Sequence, residues 1–219
     1  MKRIRARPGT ALLLDAAGTL LHPRELVAET YARVAKDQGT ACEPAEVATR
    51  FPEAMRAARP LRKGSSDWIA FWREVVRRST GSSSDELFSQ LYASFALPNA
   101  WTVAEGAAEC CASLRERGMR VGVVSNWDVR LRPLLEALGL ASTLDIIVVS
   151  GEELIEKPDR RIFEIACRRL DVEPGDTLHV GDSPTEDIEG ARAAGCHAWL
   201  WGVDVSSFDE LARRLGATT

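Results

Sequence analysis

From residue 98 onward, short runs of Val, Ile and Leu alternate with amphipathic segments of helical period, and this alternation restricts the chain to a parallel sheet covered by helices. Strand candidates are 119–124 (MRVGVV), 145–149 (DIIVV), 177–180 (TLHV) and 196–200 (CHAWL). Helices are expected near 104–117, 129–138, 159–170, 185–194 and 207–215. Residues 10–15, ending in LLLD, supply a fifth strand at the start of the chain. The fold class expected is α/β, with a doubly wound, Rossmann-like parallel-sheet core.

Between the first strand and the rest, the pattern is helical. Segments 24–38, 44–58, 66–78 and 84–96 each carry apolar residues at three- and four-residue spacing, with Gly, Pro or Ser in each break. Ser66 and Ser84 each precede an acid in the manner of helix starts. A four-helix-type cap over 23–98 is therefore expected, inserted into a core made of 1–22 and 99–219. A chain of 219 residues with 45% hydrophobic residues is long enough for one core and a smaller subdomain.

A formal net charge of −4 gives no electrostatic reason to expect nucleic acid or an anionic membrane as partner, so a small-molecule substrate is the default. The basic start MKRIRARPG and the apolar ALLL resemble the opening of a signal peptide, but Asp15 interrupts the apolar run too soon. No run is long enough to span a bilayer, and a cytoplasmic monomer or homodimer is expected. The five cysteines are odd in number and form no Cys-x-x-Cys pair, which argues against a disulfide framework or a zinc site and for reduced, buried thiols.

Ligands of doubly wound sheets bind beyond the carboxyl ends of the strands. Here those ends carry Asp15, then Ser125-Asn126, then Lys157-Pro158 in the turn past the third, and Gly181-Asp182-Ser183 followed by Asp187. Gathered carboxylates repel one another unless a cation is present, and hard oxygen ligands suit Mg²⁺. A hydroxyl and a lysine aimed at the same place suit a phosphoryl group. Asp15 is then either a pure metal ligand or a nucleophile. Only four of the 28 basic residues are lysines, so Lys157 points modestly to a place that needs a compact point charge.

These residues carry a resemblance. Asp15-x-x-Gly-Thr-Leu, Ser125-Asn126, Lys157-Pro158-Asp159 and Gly181-Asp182-Ser183-x-x-x-Asp187 look like the four ordered motifs of the haloacid dehalogenase superfamily, and the similarity covers essentially the whole chain, cap included. The resemblance implies a Mg²⁺-dependent hydrolase, a phosphatase of a small phosphorylated metabolite in the first reading. Asp15 would be nucleophile and metal ligand, with the Ala17 carbonyl, Asp182 and Asp187 completing the metal site. Ser125 would hold the transferring group with Asn126 beside it as a substrate contact, Lys157 would steady that group and Asp15, and Lys63 in a cap turn would face the substrate. Trp127 is the aromatic expected to wall the pocket.

Phosphatases of that family have a second Asp at the position of Ala17, where it protonates the leaving group. Positioned acid–base catalysis contributes roughly 10²–10⁴-fold. Three readings follow: a phosphatase that borrows an acid from His22 or the cap, a chemistry that needs no acid there, or a binding protein with weakened turnover. The phosphonate-cleaving branch has alanine at this position, and the dehalogenase branch has tyrosine. His179 and His197 lie in strand patterns and read as structural, while Trp68, Trp72, Tyr92 and Phe95 read as cap interior. A phosphorylation-receiver fold is rejected on motif order, and no glycine-rich loop supports a dinucleotide site.

Overall fold

A computed structural model describes residues 4–217. In chain order the elements are β1 (Ala11–Leu14), β2 (Leu21–Pro23), α1 (Val27–Asp37), α2 (Pro44–Ala58), α3 (Ile69–Thr80), α4 (Asp85–Ser94), β3 (Trp101–Val103), α5 (Ala107–Glu116), β4 (Arg120–Ser125) and α6 (Leu131–Ala137). They continue with β5 (Ile146–Val149), α7 (Ser150–Glu153), α8 (Arg160–Leu170), β6 (Thr177–Gly181), α9 (Gly190–Ala193), β7 (His197–Leu200) and α10 (Phe208–Leu215). The chain divides into two compact units, Met1–His22 with Val103–Thr219, and Pro23–Thr102. No helix among the described residues is long and apolar enough to cross a membrane.

The first unit is built on a five-stranded sheet of order β5-β4-β1-β6-β7, parallel at every pairing. All four residues of β1 are buried, as a central strand covered on both faces requires. Leu13, Val124 and Val148 pack with Ile162, Phe163, Ala166, Cys167 and Leu170 of α8 on one face. Strand order reverses at β1, which lies between β4 and β6, so the loops after these three strands open on one crevice. β2 and β3 form a separate two-stranded sheet.

The second unit is a bundle of α1 to α4. Tyr31, Val34 and Ala35 of α1, Val47 of α2, Val76 of α3, and Leu87, Phe88 and Leu91 of α4 share one core. Trp68, Phe71 and Val75 join Ala54 and Ala58 in a second cluster, with Trp72 against both, and Tyr92 and Phe95 line the first. Ser84 caps α4 as expected, accepting from Leu87 N at 3.2 Å. Ser66 does not cap α3, which starts at Ile69: Ser65 Oγ accepts from Trp68 N and Asp67 Oδ1 from Ile69 N. The shift of three residues reflects two competing polar side chains in one Ser-Ser-Asp run.

The expected helix 185–194 is instead a π-helical turn, Pro184–Glu189, leading into the short α9. Ser183 caps it by accepting from Glu186 N, and Pro184 occupies the first turn where no donor is needed. Wider turns of this kind concentrate at functional sites, and this one carries Asp187. All five cysteines are free and buried. Burial pushes the Cys110 thiol up to about 12, as expected of inert core thiols.

Gly190 fixes how α9 meets α8. A Cβ there would stand 2.9 Å from Phe163 Cε2, 2.9 Å from Pro158 Cα and 3.0 Å from the Pro158 carbonyl oxygen. Pro158 is backbone and cannot yield alone, so Gly190→Ala is expected to destabilise the fold by about 1–3 kcal/mol. Chemical denaturation with unchanged slope and a lower midpoint checks this, and an unchanged or raised midpoint contradicts it.

Candidate active site

Asp15 follows β1, and its amide donates to Val180 O of the neighbouring β6 at 2.9 Å, so the strand pairing itself fixes the residue. The carboxylate is buried, and two donors converge on one of its oxygens: Ser125 Oγ at 3.0 Å and Lys157 Nζ at 2.6 Å, both to Oδ1. Lys157 is only 1% exposed. The same ammonium donates to Asp187 Oδ1 at 2.5 Å, so it bridges the first and last acids of the motif series. Burial alone would lower the Lys157 pKa, but Asp15 and Asp187 more than offset it and hold the group above its ordinary value.

The acids respond differently. Burial, followed by the nearby Asp187 and Asp182, holds Asp15 above the usual carboxylate range despite Lys157. Asp187 is held below that range: burial opposes ionisation, but the hydrogen bond from His179 and the charge of Lys157 prevail. Its Oδ1 meets His179 Nε2 at 2.8 Å, and its Oδ2 accepts from Ser183 N at 2.9 Å. Asp182 is exposed, and partial burial together with Asp187 raises its carboxyl.

Asp15, Asp182 and Asp187 each offer a carboxylate oxygen, and these oxygens lie within 4.8 Å of one another. Three carboxylates against one ammonium leave two negative charges, the complement of a divalent cation, and the donors are hard oxygens. Room is kept by Gly18, where φ is +82° and a Cβ would fall 2.3 Å from Asp182 Oδ2. Ala17 is exposed in the same turn. The bonds around it run from Gly18 N to Leu21 O and from Leu21 N to Ala16 O, so neither engages the Ala17 carbonyl. The residues present fit a hard divalent ion.

Asn126, expected to contact substrate, has both ends of its amide engaged inside the protein. Oδ1 accepts from Lys157 N at 2.7 Å, and Nδ2 donates to Lys157 O and to Glu186 Oε2, each at 2.9 Å. It is a strut that grips the backbone of the residue whose ammonium reaches Asp15. The Lys157–Pro158 peptide is cis. Trp127 is buried, with its amide on Ser150 Oγ and its carbonyl accepting from Ser150 Oγ and Gly151 N. Lys63 belongs to the helical unit, where it is exposed, and His22 is exposed in β2.

Two features escape sequence reasoning. Asp128 is fully buried and paired with Arg130 through Nε–Oδ1 at 2.8 Å and Nη2–Oδ2 at 2.7 Å, which rigidifies the turn after Ser125-Asn126. His179 is fully buried beneath Asp187. Its signal was present as a polar residue in an otherwise apolar strand, in step with Gly181. For Asn126→Ala, the loss of three hydrogen bonds at a half-buried strut is expected to destabilise the core by about 1–3 kcal/mol; an unchanged denaturation midpoint contradicts the strut.

Residues 10–195 match the haloacid dehalogenase-like hydrolase family. The mouse haloacid dehalogenase-like hydrolase domain-containing protein 3 is 35% identical over 204 residues, covering 86% of this chain and 80% of the relative. Human N-acylneuraminate-9-phosphatase is 33% identical over 135 residues, covering 59% of this chain and 54% of the relative. Among solved structures, the Bacillus subtilis HAD-hydrolase YfnB, bound to magnesium, superposes with a TM-score of 0.75 at 21% identity, covering 98% and 99% of the two chains. The buried Asp15–Lys157–Asp187 cluster thus sits at the strand ends of a chain that belongs to the haloacid dehalogenase-like hydrolases.

Proposed function

We propose that the protein is a Mg²⁺-dependent phosphatase of a small phosphorylated metabolite, working through an aspartyl-phosphate intermediate at Asp15. The observation that carries this reading is the loading of Asp15: Ser125 Oγ and Lys157 Nζ both fall on Oδ1, which leaves Oδ2 as the attacking oxygen. A relative named as a phosphatase, N-acylneuraminate-9-phosphatase, supports phosphate esters as the substrate class.

Asp15, Asp182, Asp187 and the Ala17 carbonyl are the residues that would hold Mg²⁺, as a hard site of clustered carboxylates suits it. When bound, the ion supplies positive charge to the phosphoryl oxygens. Lys157 keeps the Asp15 carboxylate oriented and offers charge to the transferring group, and Ser125 holds a phosphoryl oxygen. The Asp15 Oδ2 lone pair forms a bond to phosphorus as the bond to the leaving oxygen breaks. Water then cleaves the acyl phosphate and restores the carboxylate.

With Ala17 where a proton donor is expected, the leaving group departs as its own anion. The acid's absence costs roughly 10²–10⁴-fold for an alkyl phosphate and little for a leaving group that is stable as an anion. Substrates with acidic leaving groups are therefore favoured over simple alkyl esters. This also accommodates chemistry outside phosphomonoesters, for which alanine at the same position of the phosphonate-cleaving branch is the specific parallel.

Mg²⁺-dependent hydrolysis of p-nitrophenyl phosphate by the unaltered chain, compared with an alkyl phosphate, tests the leaving-group argument; equal rates on the two would refute it. Ala17→Asp is expected to raise alkyl phosphate turnover by about 10²-fold or more. Asp15→Asn removes the nucleophile and is expected to abolish turnover, whereas unchanged activity sinks the assignment. Asp182→Ala is expected to raise the Mg²⁺ concentration for half-maximal activity by about tenfold or more, measured by titration of the ion at fixed substrate.

A further inference from the structure

We infer that His179 is a positioning residue for the reaction: through Asp187 it sets the direction in which Lys157 is presented to Asp15. This rests on the reading of Asp15 as the reacting carboxylate. The geometry is a continuous buried line. His179 Nε2 lies 2.8 Å from Asp187 Oδ1, Lys157 Nζ lies 2.5 Å from the same oxygen, and Lys157 Nζ lies 2.6 Å from Asp15 Oδ1. His179 and Asp187 are 0% and 1% exposed, so water does not compete for these bonds.

A carboxylate held by a single bond keeps rotational freedom. The terminal torsion of an aspartate is broad, so one hydrogen bond locates an oxygen without fixing the plane of the group. In Asp187, Ser183 N holds Oδ2 at 2.9 Å, and among the described residues only His179 and Lys157 act on Oδ1. Remove His179 and the sole hold on Oδ1 is the ammonium that Oδ1 is supposed to orient. The carboxylate also packs directly over Gly181, where a Cβ would be 2.3 Å from Asp187 Cγ, so its swing is limited by β6 on one side and by His179 on the other.

The ring itself is held for this one bond. Nδ1 is buried with no hydrogen-bond partner among the described residues, and the ring stands edge-on to Phe163 at 5.0 Å and 77° between planes. A hydrogen on Nδ1 would be a stranded donor and would turn the Nε2 lone pair toward a carboxylate, so the hydrogen belongs on Nε2, which donates to Asp187. A buried strand position that needed only bulk would be filled at lower cost by an aliphatic side chain, which strands no ring nitrogen.

The matched pair His179→Gln and His179→Asn separates positioning from packing. Glutamine places its amide nitrogen near the reach of Nε2 and can donate to Asp187; asparagine keeps the polarity but stops at the reach of Nδ1. On p-nitrophenyl phosphate with Mg²⁺, the asparagine variant is expected to lose roughly 10- to 100-fold in kcat, the worth of one charge-assisted hydrogen bond, with little change in KM. The glutamine variant is expected to recover most of that loss.

A second readout does not depend on turnover. The buried Lys157 ammonium should give a slowly exchanging ¹H–¹⁵N signal in the Mg²⁺-free full chain, identified by its loss in Lys157→Arg; Lys36 and Lys63 are exposed. That signal should persist in His179→Gln and broaden or vanish in His179→Asn. If both variants behave alike in kcat and in the ammonium signal while keeping the parent's far-ultraviolet circular dichroism, His179 is core packing and the proposal fails. If the unaltered chain turns over no phosphate ester, the phosphatase reading fails, and the ammonium signal still decides the role of His179.

Discussion

A lysine ammonium sealed between two carboxylates is the constraint that organises this chain. An ammonium that is 1% exposed forfeits nearly all its hydration, and only close, well-aligned acids make that arrangement tolerable. The two acids come from opposite ends of the sequence, Asp15 after β1 and Asp187 after β6, and the lysine from the turn beyond β5. Bringing them together requires β1 to lie between β4 and β6, and that is the strand order found. The ion cluster therefore adds little to stability by itself; it demands a topology, and the apolar faces of β1, β4 and β5 against α8 supply the stability.

The supports of this cluster are layered. Asn126 grips both backbone groups of Lys157 and reaches Glu186, tying the loop after β4 to the turn after β5 and to the π-helical turn after β6. Gly18, Gly181 and Gly190 each mark a place where a side chain would strike Asp182, Asp187 or Pro158. Gly18 and Gly190 cannot be read as mere spacer glycines, because what each accommodates is a neighbour from another part of the chain, while Gly181 makes room for Asp187 of the turn that follows it. Asp128 and Arg130 hold the far side of the same loop as Asn126.

This layering explains what was legible in the sequence. Strand positions emerged from runs such as MRVGVV and DIIVV because a sheet buried on both faces writes itself as continuous apolar residues. Asp15, Ser125, Lys157, Asp182 and Asp187 were legible because a rule about strand ends predicts convergence without knowledge of distances. What the rule does not encode is which polar residue faces the ligand and which faces another site residue. Asn126 was read as a substrate contact and is engaged with Lys157, and His179 was read as structural and lies against Asp187. The difference depends on side-chain direction at single positions, for which a linear pattern carries no period. The π-helical turn escaped for a related reason, since Pro184–Glu189 has the composition of an ordinary helix start.

The same asymmetry bears on the chemistry at Asp15. Its Oδ1 is loaded by two donors, and the buried side chains around it are engaged in holding: Lys157 bridges two carboxylates, Asp187 is bonded at both oxygens, and Ser125 donates to Asp15. A group that bridges two carboxylates or is bonded at both oxygens is poorly placed to give up or take a proton at a leaving oxygen. Ala17, exposed two residues past Asp15, brings none either. On the proposed phosphatase reading, a centre that directs Lys157 and a bound cation at the transferring group, with no acid at position 17, stabilises charge accumulating there better than charge appearing on the leaving atom. On that reading the leaving group carries its own charge away, and its acidity restricts the substrate before any pocket restricts it by shape.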